Sequence, residues 1–143
     1  MDWKLEVVVL PVSDVDRAKH FYVEQMGFTL DVDYAPSPDF RVVQLTPHGS
    51  NSSIQFGVGL TDAPAGSVRG LYLVVRDIEA SQRELRDRGL GVSEIRHKDT
   101  DSGWRGEYVP GLDPGRSDYA SFADFRDPDG NAWVLQERGY HPT

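Results

Sequence analysis

Four histidines and no cysteine set the limits on the chemistry this chain can do. His20, His48, His97 and His141 never pair at a ligand spacing such as His-x3-His, so they read as surface or packing residues. His97 differs from the rest only in opening a long segment that is free to fold over a site. The missing cysteine excludes thiol catalysis, a disulfide framework and any thiolate-bound metal. Asp127-Pro128-Asp129-Gly130-Asn131 has the look of a calcium loop, but an EF-hand needs glycine at position six and glutamate at position twelve. Here glycine comes fourth and Arg138 stands twelfth, so the segment reads as a tight turn. There is no Ser-His-Asp signature and no glycine-rich phosphate loop. Carboxylates are plentiful. Asp124, set among Phe122 and Phe125, has the best claim to acid–base work, although the preferred reading turns it toward a helix or solvent.

These residues must be positioned by elements that the apolar pattern marks out. Leu5 to Val12 is a β-branched run suited to a strand covered on both faces. Ser13 then reads as a helix N-cap, with Asp14 and Asp16 in the first turn, where the helix dipole favours anions. Val15, Ala18, Tyr22 and Met26 follow at helical spacing, and Gly27 is a natural stop. Strands are predicted at Phe28–Tyr34, Phe40–Leu45 and Ser53–Phe56. A Gly/Pro/Ala/Ser-rich stretch around 59–67 reads as a linker. The order then begins again: a strand at Leu71–Val75, a helix capped by Asp77 and ended by Gly89, and strands near Gly91–Ile95, Tyr119–Phe125 and Ala132–Gln136.

That recurrence is a duplication. LPVSDVDRA (10–18) matches LVVRDIEAS (73–81) in apolar pattern and acidic cap. The capping aspartates lie 63 positions apart and the stop glycines 62. TPHGS (46–50) likewise matches DPDGN (127–131), each a turn before a strand with an apolar–Gln pair, Ile54-Gln55 and Leu135-Gln136. One domain is therefore expected, with module 1 at about 1–58 and module 2 at about 68–140, folded around a shared cleft. The halves differ mainly at 97–117, an aperiodic insertion carrying Trp104 and Tyr108 that reads as a lid or as a structural arm or dimer contact.

Composition narrows the partners. Fifteen basic against twenty-three acidic residues give a net charge of −8, which argues against nucleic acid or an anionic membrane surface. The apolar runs are too short to span a bilayer, and no signal peptide is recognisable, so a cytoplasmic protein is expected.

LEVVVLPVSDVDRAKHFY, the early Gly27-Phe28 and DPDGNAWVLQE, in this order, resemble the vicinal oxygen chelate superfamily. That superfamily contains glyoxalase I, extradiol dioxygenases, fosfomycin-resistance proteins and bleomycin-binding proteins. The resemblance implies an α+β fold in which paired βαβββ modules form an open, curved barrel around a cleft, often in a homodimer. It also implies metal-ligand positions that fall here on Val7, Gly70, Val134 and Gln55. Valine and glycine offer no lone pair, and one amide does not hold a catalytic metal against water, so no metal or other cofactor is expected.

Strand parity places Val7, Val9, Ser53, Gln55, Tyr72, Val74, Ala132, Val134 and Gln136 on the cleft face. Trp104 and Tyr108 are added as stacking groups from the insertion. An apolar lining with a few neutral hydrogen-bonding groups suits a flat, largely apolar small molecule. The leading expectation is a metal-free protein that sequesters an aromatic or polycyclic compound, such as an antibiotic, with no catalytic residue. A metal-independent isomerase, lyase or hydrolase using a carboxylate or His97 stays open beside it. A metal-dependent glyoxalase or dioxygenase fits the ligand positions least.

Overall fold

The computed structural model describes residues 1–143 as an α+β chain divided into two compact units. The first comprises Met1–Val68 together with Asp127–Asn131, and the second comprises Arg69–Arg126 and Ala132–Thr143. Each contains one strand, one helix and a run of further strands, and neither sheet closes on itself. No helix is long and apolar enough to cross a membrane.

In the first unit the elements are β1 (Val7–Val9), α1 (Val15–His20), β2 (Thr29–Ser37), β3 (Phe40–Thr46) and β4 (Ser53–Val58). The sheet order is β1-β4-β3-β2, with β1 parallel to β4 and the rest antiparallel. The cap of α1 is Asp14, not Ser13: its carboxylate accepts the Arg17 N–H at 3.0 Å. Ser13 instead donates its hydroxyl to Asp129. A carboxylate one residue nearer the first turn takes the orphan N–H and also meets the helix dipole. The expected unbroken helix widens into a π-turn over Phe21–Gln25, closed by Met26 N–H to Phe21 O at 2.9 Å. The extra residue in that turn lets the adjacent Phe21 and Tyr22 both be buried. Around Tyr22 the core gathers Leu10, Ala18, Phe28, Val43, Leu45, Ile54 and Phe56. Buried strand positions alternate, so Val7, Val9, Gln44, Thr46, Ser53 and Gln55 belong to the other, open face of this sheet.

In the second unit follow β5 (Leu71–Val75), α2 (Ile78–Asp87), β6 (Arg96–Lys98), β7 (Tyr108–Pro110), β8 (Ser121–Arg126) and β9 (Ala132–Glu137). Here the order is β5-β9-β8-β6-β7, with β5 parallel to β9. Asp77 caps α2 as expected, accepting the Ala80 N–H at 3.0 Å. The strand expected at Gly91–Ile95 is not formed; the chain enters the sheet one step later, at β6. In 91–95 the backbone is tied up otherwise: Arg86 donates to Val92 O, Gln82 to Ser93 O, and Ser93 N–H reaches Asp124 O. The 97–117 insertion is only partly irregular, because its ends supply β6 and β7 with a 3-10 turn, Thr100–Ser102, between them.

Candidate functional site

The second sheet has a helix side and an open side, and register separates them. Trp133, Leu135 and Glu137 of β9 are buried on the side of α2, whose Ile78 N–H donates to Glu137. Residues directly opposed in a sheet share a face. Pairings Tyr72↔Val134, Val74↔Gln136, Asp124↔Val134, Phe122↔Gln136, Arg96↔Phe122 and Lys98↔Tyr108 therefore define a single open face built by all five strands. Tyr72 and Val74 are more than half exposed there.

The middle of this face is an aromatic and charged cluster. The Arg96 guanidinium donates to both oxygens of Asp124, at 2.6 and 3.2 Å, a two-point pair of the kind this planar group favours. It also lies over the rings of Tyr108, 4.5 Å from the centroid, and Phe122, at 5.6 Å. Tyr108 and Phe122 meet edge to face at 5.4 Å, so Phe122 is almost wholly buried although it sits on the open side. The Lys98 ammonium lies 4.2 Å from the Tyr108 centroid and donates to Gly106 O at 2.6 Å. That bond ties the 99–107 loop back to the end of β6.

The residues anticipated from sequence fall as follows. In the first unit Val7 lies beside Ser53 and Val9 beside Gln55. Gln55 donates its amide to Gln44 at 2.7 Å, and Ser53 hydrogen-bonds Thr46, which itself donates to Asp31. In the second unit Tyr72, Tyr108 and Val134 share the open face. Trp104 is exposed in the loop, with a left-handed backbone (φ 68°), and makes no ring contact with Tyr108 or Phe122. Asp124 is on the open face, half exposed to solvent as the sequence reading preferred, and paired there with Arg96. Arg96, Lys98 and Phe122 were missed. With β6 placed five residues early, the Arg-His-Lys alternation that puts both cations on one face had no strand to act on.

The donor set does not fit a metal. No group of three or more His, Asp or Glu side chains comes together as a cation site. Val7 and Val134 present only carbon, Gly70 presents nothing, and the Gln55 amide is engaged by Gln44. Beside Val134 stands an Asp124 already paired with a fixed cation. His97 is held by Gly111 O, 2.7 Å from its Nδ1. A separate pocket of about 360 Å³ opens between α2 and the segments 94–95 and 110–112. Of its rim carboxylates, Glu79 faces Arg116 and Glu94 faces Arg86.

Residues 4–135 match the family model of the glyoxalase/bleomycin resistance protein/dioxygenase superfamily. The chain is similar to TnmS3, an antibiotic binding protein from Streptomyces sp. CB03234: 32% identity, TM-score 0.71, covering 95% of this chain and 96% of that one. A superfamily member from Sphaerobacter thermophilus DSM 20745 is 25% identical with TM-score 0.71, over 96% and 98% of the two chains. An uncharacterized protein of Shewanella frigidimarina (strain NCIMB 400) is 31% identical over 136 residues, 90% of this chain and 88% of that protein.

Proposed function

The chain belongs to the glyoxalase/bleomycin resistance protein/dioxygenase superfamily, and within it we propose that this chain is a metal-free binding protein which sequesters an aromatic or polycyclic small molecule, such as an antibiotic, and returns it unchanged. The observation that carries this reading is the make-up of the open face of the second unit. Tyr72, Val74, Tyr108 and Val134 offer contact and stacking area, with Gln136 as a neutral hydrogen-bonding group. A general base must be available to take a proton from the bound compound. The one carboxylate on this face spends both oxygens on Arg96. The likeness to an antibiotic binding protein supports the antibiotic version of the reading.

Two measurements test it. Titration with aromatic polycyclic compounds should quench tryptophan fluorescence, and mass spectrometry of the recovered compound should find its mass unchanged. A converted product that disappears in Asp124→Asn would replace this reading with an enzyme. Elemental analysis after dialysis should find no stoichiometric Ni, Zn, Fe or Mn; one tightly held metal per chain would end the metal-free proposal. The protein is further proposed to be a homodimer, on family resemblance, and light scattering at micromolar concentration returning a monomer mass would refute that.

A further inference from the structure

The open face of the second sheet is charged against the sign of the whole molecule. The chain carries a net −8. On this face β6 contributes Arg96 and Lys98, β8 contributes Asp124 and Arg126, and β5, β7 and β9 contribute no charge at all. Arg96 and Asp124 cancel each other. Lys98 has no carboxylate partner: its half-buried ammonium rests on the Tyr108 ring and a backbone carbonyl. A π-face and a carbonyl dipole hold a cation in place but leave its charge whole. An unneutralised ammonium beside exposed aromatic and aliphatic surface is complementary to one kind of small molecule. It is an aromatic body that bears an anion.

Resting on the binding reading above, we propose that this face selects aromatic compounds carrying an acid ionised at neutral pH, a carboxylate, sulfonate or acidic phenol, and that Lys98 is the residue that holds its charge. Tyr72 and Val134 seat the ring system, while the Arg96–Asp124 pair keeps Tyr108 and Phe122 in place and adds no net charge. Selection then comes from Coulomb attraction at short range, where one charge separates two otherwise equal ligands.

Two dyes that share a ring system test this in the full-length protein: 8-anilinonaphthalene-1-sulfonate, an anion, and N-phenyl-1-naphthylamine, its neutral counterpart. Fluorescence titration should show the anion binding about tenfold more tightly at low salt, the gap narrowing at about 0.5 M salt. Lys98→Met, which keeps the aliphatic stem, should abolish the preference by weakening the anion alone, and Lys98→Arg should restore it. Circular dichroism melting confirms that each variant is folded. Equal or tighter binding of the neutral dye to the wild type would overturn the charge selection and leave the binding reading standing. A preference that survives Lys98→Met, or a loss shared by both dyes, would overturn the role given to Lys98. If neither dye bound, both this proposal and the binding reading beneath it would fall.

Discussion

The two halves of the chain build the same framework and present different surfaces. Both cap their helix with an aspartate that accepts the N–H three residues on, and both bury alternate strand positions against that helix. On the open face of the first sheet the polar side chains pair through Gln55–Gln44 and Thr46–Ser53, with one carboxylate, Asp31, accepting from Thr46, and no cation takes part. The second sheet carries cations, a carboxylate and two rings in mutual contact. The difference has a simple source. Helix-side positions must fill a close-packed core, whereas open-face positions answer to fewer packing constraints and are free to acquire a ligand's chemistry. The second sheet also has a fifth strand, β7, for which the first sheet has no counterpart, and with it Tyr108.

The units differ again in how they satisfy a buried carboxylate. Glu137, fully buried, takes two bonds from Arg116, at 2.8 and 2.6 Å, and one from the Ile78 N–H. The bonds to Glu137 hold the Arg116 guanidinium well above its ordinary pKa. Asp127 in the first unit takes neutral donors only: Tyr22 OH, the Asn131 amide and two backbone N–H groups. The largest effect should therefore come from Arg116→Ala, which strands a buried charge and should cost about 3–5 kcal/mol in urea unfolding. Asp127→Ala should cost less, about 2–3 kcal/mol, since the donors it orphans are uncharged. A reversed order would break the contrast between a charged and a neutral anchor.

Ligand affinity sharpens the contrast between the open faces. Tyr108→Ala should weaken an aromatic ligand by about 1–2 kcal/mol in a fluorescence titration, and Trp104→Ala by less, because Trp104 lies outside the ring cluster. An equal loss with Gln44→Ala would instead spread the site onto the first sheet.

The smallest effect concerns a surface cluster on the helix side of the first unit. Hydrogen bonds from Arg41 and then Lys19 pull the Asp33 carboxyl down to about 2. Its ordinary value is near 3.9, so its stabilising contribution is complete above about pH 4 and is lost as pH falls through about 2. With solvent screening that amounts to about 1 kcal/mol. Asp33→Asn should lower stability by that amount at pH 7 and by little at pH 2, measured by thermal melts across that range.

Much of this was legible from residue order. The apolar run Leu71–Val75 and the strand read at Ala132–Gln136 correspond to β5 and β9 of the second sheet, because apolar runs and the punctuation around them are local properties of a chain. Local competition hid other features. Ser13 and Asp14 are both good caps, and only the presence of Asp129 as a partner for the Ser13 hydroxyl decides between them.

The amino-acid sequence by itself thus determined the strand–helix–strands order of each half, the aspartate cap of α2 and the aromatic content available to a site. Only tertiary structure decided that β6 begins at Arg96, that Asp124 is opposed to Val134, and that Arg96 joins that carboxylate to Tyr108 and Phe122. The reason is sequence distance. Arg96 and Asp124 are 28 residues apart, and their meeting rests on antiparallel register between β6 and β8. Register across a long insertion is set by which face the rest of the sheet buries, a property that no local window of the chain contains.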